Sequence, residues 1–304
     1  MQRRFLWSSL IALVTLAGCG GLRTSGSVGA RGGQIAVVVA ENFWGSIAAQ
    51  LGGAHAKVIS IISNPNSDPH AYEPTSADGR VVAQAGYVLL NGAGYDPWMP
   101  RLVDANPGSA RRVLTVADVA GRKPGDNPHM WYSPPVVLHV IDRITADYKG
   151  LDSADAADFD AAAVRLKSTL LKHYDDVRAA IKGTYSGVAV GATESIVVDL
   201  ARDLGLDLIT PPEYMKAISQ GNDPTAADKS TFDGEISGRR IKVLVFNKQN
   251  ATPDVQVLVD RATAAGIPVV GITETLAPPS ATFQDWQSAQ LDALQSALAQ
   301  ATGR

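Results

Sequence analysis

Seven apolar residues, Phe159, Ala163, Leu166, Leu170, Tyr174, Val177 and Ile181, follow one another at intervals of 4, 3, 4, 4, 3 and 4. That spacing keeps to one face of an α-helix for about eight turns. Ser153 is placed to cap its start, Asp155 and Asp158 suit the positive end of the helix dipole, and Gly183 is placed to end it. The spacing predicts a helix over residues 154–182, about 43 Å long at 1.5 Å per residue. A helix of that length, lying between two runs of a different pattern, acts as a rigid strut and divides the chain into two halves.

The flanking runs alternate short apolar strands with amphipathic helices. In the first half the strands are expected at 35–40 (IAVVVA), 58–62, 87–90 and 112–116. Helices are expected after Asn42, after Ser76, after Asp96-Pro97 and from Ser133-Pro134 to about Tyr148, with Ser133 as cap and Pro134 at the first helical position. The second half repeats the alternation, with strands at 187–192 (GVAVGA), 241–246 (IKVLVF) and 268–272 (PVVGI) and a last helix over 283–299. Residues 211–224 read as a long loop. Alternation of this kind builds parallel sheets covered by helices. The expected fold is therefore α/β: two lobes, each a parallel sheet with flanking helices, joined by one long backbone helix. The N-terminal lobe takes residues 34–153, the linking helix 154–182 and the C-terminal lobe 183–304.

The first eighteen residues stand outside that fold. Arg3 and Arg4 precede an apolar run over 5–17 that is too short for a comfortable membrane span, which is the pattern of a secretory signal. Leu16-Ala17-Gly18-Cys19 resembles a bacterial lipobox, and the resemblance implies cleavage before Cys19 and a lipid on its sulfur. Residues 19–33, rich in Gly and Ser, then form a lipidated flexible tether. Cys19 is the sole cysteine of the chain. An intramolecular disulfide and a thiolate metal ligand are both ruled out, so any metal must be held by nitrogen and oxygen. A net charge of −3 offers no basic surface for nucleic acid.

Two histidines sit in Pro-His loops. Pro65, Pro69 and Pro74 stiffen the stretch NPNSDPHAYEPT after the second strand and hold His70 in a defined place. Asn127-Pro128-His129 ends a polar loop over 121–127. In the second half two strands each end in Thr-Glu, which puts Glu194 and Glu274 at the carboxyl edge of the sheet. If the lobes face each other, two imidazoles meet two carboxylates across a cleft, a donor set suited to zinc, manganese or iron. His55, His139 and His173 read as structural or surface residues. Trp44 and Trp131 read as packing residues near the cleft, and Asn247 and Gln249 are placed to orient ligands from behind.

These motifs resemble those of the metal-binding lipoproteins of bacterial ABC importers for zinc and manganese, the cluster A-I or TroA-like family. The matching stretches include Ala40-Glu41-Asn42-Phe43-Trp44-Gly45, Asp68-Pro69-His70-Ala71-Tyr72-Glu73-Pro74, Asn127-Pro128-His129-Met130-Trp131, Ala192-Thr193-Glu194, Asn247-Lys248-Gln249 and Gly271-Ile272-Thr273-Glu274. The resemblance implies one metal in the interlobe cleft, with His70, His129, Glu194 and Glu274 as ligands. The fourth family ligand is usually Asp, so Glu274 departs from the pattern. Glu at the third position and the absence of a His-rich loop lean towards Mn2+ over Zn2+, with Fe2+ behind both. The implied protein is a monomer, not an enzyme, anchored outside the bacterial cell membrane through Cys19 and serving a permease with a cytoplasmic ATPase. The alternatives are an extracytoplasmic zinc-dependent hydrolase, with Glu274 as base, and a metal-free adhesin-like lipoprotein.

Overall fold

The strand β1 (Ile35–Glu41) is buried at every position but one, as a strand covered on both faces should be. In the computed structural model it lies at the centre of a four-stranded parallel sheet. The structure describes residues 33–304 apart from Asn66, Asp68, His70, Ala71 and Ser109. The signal peptide, Cys19 and most of the tether expected from the sequence lie outside the described residues, as does His70. From Gly33 to Arg304 the chain forms one compact unit.

The first half runs β1, α1 (Asn42–Gly52), β2 (Ala56–Ile62), α2 (Ser76–Gln84), β3 (Tyr87–Leu90), α3 (Trp98–Ala105), β4 (Arg112–Thr115), α4 (Val116–Ala120) and α5 (Pro134–Leu151). Its sheet order is β2-β1-β3-β4, all parallel. The helical link is α6 (Ala156–Arg165) and α7 (Lys172–Tyr185) with a wide π turn, Leu166–Leu170, between them. The second half runs β5 (Ala189–Ala192), α8 (Val198–Leu204), β6 (Asp207–Leu208), α9 (Pro212–Ser219), α10 (Ala226–Ser237), β7 (Val243–Asn247), α11 (Pro253–Ala264), β8 (Val269–Ile272) and α12 (Phe283–Thr302). Its sheet is β6-β5-β7-β8, again parallel.

Each sheet reverses its winding once, between β1 and β3 in the first and between β5 and β7 in the second. Crevices at such points, outside the carboxyl ends of the strands, are where open α/β sheets take ligands. Glu41 and Asn247 are the last residues of β1 and β7, and Asn91 and Glu194 lie just past the ends of β3 and β5.

Several local expectations are corrected. The backbone helix is not one uninterrupted α-helix. The Leu171 N–H reaches the Leu166 carbonyl at 3.0 Å, five residues back, so one extra residue enters the turn. Leu171, not Leu170, therefore joins Leu166 and Tyr174 in the core. Its first cap is Asp155, and it continues past Gly183 to Tyr185. Thr75, one residue before Ser76, caps α2, because Asp78 completes a reciprocal capping box with it. Asn42 does not cap α1; its Oδ1 accepts from the Leu276 N–H at 3.2 Å, across the lobes. Residues 211–224 are not a bare loop but carry α9, whose Tyr214 and Met215 are buried.

The lobes share one core. Phe43 of α1 stacks on Trp131 at 4.1 Å and lies 6.4 Å from Trp286 of α12. Around these rings the lobes are stitched by neutral hydrogen bonds. Gln50 and Gln284 exchange a pair at 3.1 and 2.8 Å, Ser46 Oγ accepts from the Phe283 N–H at 2.9 Å, and the Tyr132 hydroxyl donates to the Thr273 carbonyl at 2.8 Å. Packing density and matched polar groups on this side oppose lobe separation.

Candidate metal centre

His129 follows Pro128 at the end of the 121–127 loop and is 1% exposed. Asn127 fixes it. The Asn127 amide nitrogen donates to the Ser195 carbonyl at 2.9 Å, so its oxygen is the acceptor that faces His129. That oxygen takes the His129 backbone N–H at 3.2 Å and lies 2.8 Å from Nδ1. Nδ1 therefore carries the proton and Nε2 the lone pair, the tautomer a metal ligand needs. Trp131 packs edge-on against the ring at 5.3 Å.

Glu194 leaves the end of β5 and is also 1% exposed. Its Oε2 accepts from Asn250 Nδ2 at 2.9 Å. Its Oε1 is buried and has no hydrogen-bond partner among the described residues. Burial first, and then the charge of Glu274, push its pKa up to about 8, against the opposing hydrogen bond from Asn250. A buried carboxylate with a bare oxygen and an acidic neighbour favours either a proton or a cation at that point.

Glu274 follows β8 and lines a cavity of about 880 Å³ that opens between the lobes. Both its oxygens are engaged: Oε2 by the Tyr95 hydroxyl at 2.8 Å and Oε1 by Asn247 Nδ2 at 2.6 Å. Gln249 holds the turn from behind, accepting the Glu274 and Thr275 backbone N–H groups at 2.6 and 2.9 Å. The same Gln249 amide donates to the Pro65 carbonyl, and Trp98 donates to the Pro69 carbonyl at 3.0 Å. The described flanks of the His70 loop are thus tied to both lobes.

His129, Glu194 and Glu274 are linked through intermediate residues. Asn127 joins His129 to the residue after Glu194, Asn250 holds Glu194 while Asn247 in the same turn holds Glu274, and the Tyr95 ring lies 6.0 Å from that of His129 while its hydroxyl holds Glu274 too. Asn247 and Gln249, expected to stand behind the ligands, hold the Glu274 carboxylate and its turn. Tyr95, Asn127 and Asn250 in such roles were not foreseen. Asn250 could have been found, because it belongs to the same polar turn as Asn247. Tyr95 could not, since its partner is 179 residues away. Among the described residues, the His and acid group whose ligand atoms all lie within 4.8 Å of one another is a different one, His55 with Asp155 and Asp158. There the imidazole lies between two carboxylates, at 2.7 and 3.0 Å, and ties the start of β2 to the start of α6.

Residues 37–297 match the model of the family described as ZnuA, the periplasmic component A of the zinc-uptake complex. The chain belongs to this family. It is 26% identical over 156 residues to the manganese-binding lipoprotein MntA of Bacillus subtilis, and 28% identical over 153 residues to MntA of Halalkalibacterium halodurans. The first match covers 49% of each chain, and the second 48% of this chain and 49% of the relative. The chain thus spans about half the length of the curated relatives it matches. Its fold is that of the periplasmic zinc-binding protein TroA from Treponema pallidum, with a TM-score of 0.70 and 16% identity over 88% of this chain and 99% of the other. The Mn-bound periplasmic metal-binding protein from Candidatus Liberibacter asiaticus gives a TM-score of 0.72 and 18% identity, over 86% and 98%. The family is one of extracytoplasmic metal-binding transport components rather than enzymes. Among the described residues no helix is long and apolar enough to cross a membrane.

Proposed function

We propose that this protein captures one divalent transition metal, Mn2+ or Zn2+, in the cleft between its lobes and delivers it to an ABC permease driven by a cytoplasmic ATPase. Cys19 would carry the lipid that keeps it at the outer face of the cell membrane. The single observation that supports this best is the bare, buried Oε1 of Glu194 beside a second carboxylate. His129 Nε2, Glu194 and Glu274 are the described ligands of the proposed site, and His70 completes it. The metal is cargo: the protein's part is to present lone pairs and ionised oxygens in a dry place, and to give up a proton from Glu194 when the cation arrives.

Two carboxylates with two imidazoles suit Mn2+ better than a histidine-rich set would, because carboxylate oxygen is the harder donor. The relatives named for manganese agree with that leaning, and the family description names zinc. Calorimetric titration of chelator-stripped protein tests the site. His70→Ala and His129→Ala should each lower affinity at least about 100-fold, whereas His173→Ala, which loses only a partly exposed pair with Asp292, should bind as the parent does. Equal affinity across the three variants contradicts the proposal. Competition between Mn2+ and Zn2+ on the same protein then ranks the metals.

A further inference from the structure

A second pair of buried acids lies at the carboxyl edge of the N-terminal sheet. Glu41 ends β1 and is fully buried, and Asp96 is 1% exposed. Neither Glu41 oxygen has a hydrogen-bond partner among the described residues, and the ionisable group that acts on it is the Asp96 carboxyl. Asp96 itself accepts two backbone N–H groups, from Asn91 at 2.7 Å and from Gly92 at 2.8 Å. Burial raises the Asp96 pKa as well, but the two amide donors oppose that rise and favour its ionised form, so Asp96 is the anion of the pair and Glu41 the acid. Burial, followed by the Asp96 charge, raises the Glu41 pKa well above the ordinary carboxylate range, in keeping with that assignment.

The loop that Asp96 grips is a demanding one. Gly92, Ala93 and Gly94 take φ of 79°, 55° and 89° in succession, and at Ala93 the left-handed backbone crowds Cβ against the following carbonyl. The residues on either side of this turn reach the metal centre. Asn91 accepts from Trp44 Nε1 at 3.0 Å and donates to the Pro128 carbonyl at 2.9 Å, one residue before His129. Tyr95 donates to Glu274. One loop therefore positions a ligand from each lobe.

We infer that Glu41 is a positioning residue for the metal centre: as a neutral acid it donates a hydrogen bond to Asp96, and through Asp96 it fixes the turn over residues 91–96 that orients His129 and Glu274. The effect on metal rests on the function proposed above; the effect on the loop does not.

The experiment pairs Glu41→Gln, which keeps a neutral donor, with Glu41→Met, which has none. Two quantities are read: hydrogen exchange of the Asn91 and Gly92 amides without metal, and affinity for Mn2+ and Zn2+ by calorimetry. Glu41→Gln should leave amide protection unchanged and affinity within about threefold. Glu41→Met should speed exchange at both amides while leaving those of β7 and β8 as they were, and should lower affinity about 10- to 100-fold, as loss of a group behind a ligand does. Faster exchange in Glu41→Gln overturns the inference, since a neutral donor would then not suffice. So does unchanged exchange in Glu41→Met, or loosened amides with unaltered affinity. Should Glu41→Met fail to fold, Glu41→Gln alone decides. Should the parent bind neither metal, the function proposed above fails, and the amides still report on the loop.

Discussion

Each lobe buries a pair of acids at the carboxyl edge of its sheet, and the two pairs reach opposite ends. In the N-terminal lobe Glu41 and Asp96 are sealed in, one oxygen set crowned by backbone amides. Their repulsion is relieved by a shared proton. In the C-terminal lobe Glu274 lines the interlobe cavity and Glu194 is buried next to Ser195 and Asn250, which line it too, with side-chain donors on three of the four carboxylate oxygens and the fourth bare. Their repulsion is relieved by a proton only until a cation competes for the place. Two buried carboxylates are a cost in either case; what differs is whether the relieving charge has a route in and a lone pair opposite to receive it. In the proposed site His129 Nε2 would supply that lone pair, whereas in the N-terminal lobe the amides of Asn91 and Gly92 already satisfy the Asp96 carboxylate.

The sharpest way to break this contrast is to make the same isosteric change in both pairs. Glu194→Gln should lower metal affinity at least about 100-fold by calorimetry, because an oxyanion is lost, whereas Glu41→Gln should change it within about threefold. Similar losses in the two variants would erase the distinction.

The next effect concerns pH. A carboxyl whose pKa stands at about 8 in the folded protein and near 4.5 ordinarily holds its proton longer when folded. Its contribution to stability is fully present below the ordinary value and is lost as pH rises towards 8. The melting temperature of metal-stripped protein should therefore fall between about pH 5 and 8, and Glu194→Gln should flatten that fall, with the Glu41 pair supplying what slope remains. Metal should bind more weakly as pH falls across the same window, because protons then compete for Glu194 and the imidazoles. Thermal unfolding at several pH values, with and without metal, checks both signs.

A smaller change is expected at Asn250→Ala, which removes the donor to Glu194 Oε2 without touching a ligand: about tenfold in affinity. The smallest is expected at His55→Ala. Its two ion pairs are partly exposed, so stability should drop by about 1 kcal/mol or less and metal affinity at the cleft should not move.

Much of this was legible in the chain because the signals are local. The strand-helix alternation, the Pro-His loops and the Thr-Glu strand ends each lie within a few residues, and each maps to a strand, a loop or a sheet edge. The π turn was not legible. The stripe through Leu166, Leu170 and Tyr174 fits an uninterrupted helix equally well, and only packing selects Leu171 for the core. Helix α9 was hidden between Pro211 and Pro224, where Pro212 opens the helix rather than breaking it. The Glu41-Asp96 pair was illegible for a different reason: two acids 55 residues apart declare nothing until β1 and β3 are paired.

The central claim is that a metal enters between His129 and the bare oxygen of Glu194. Crystals grown with Mn2+ or Zn2+ and measured for anomalous scattering test it most directly. The account predicts one strong peak bonded to His129 Nε2, Glu194 Oε1 and Glu274, at about 2.0–2.2 Å for Zn2+, with His70 in the same shell. A peak confined to His55, Asp155 and Asp158, or none in the cleft at saturating metal, would contradict it.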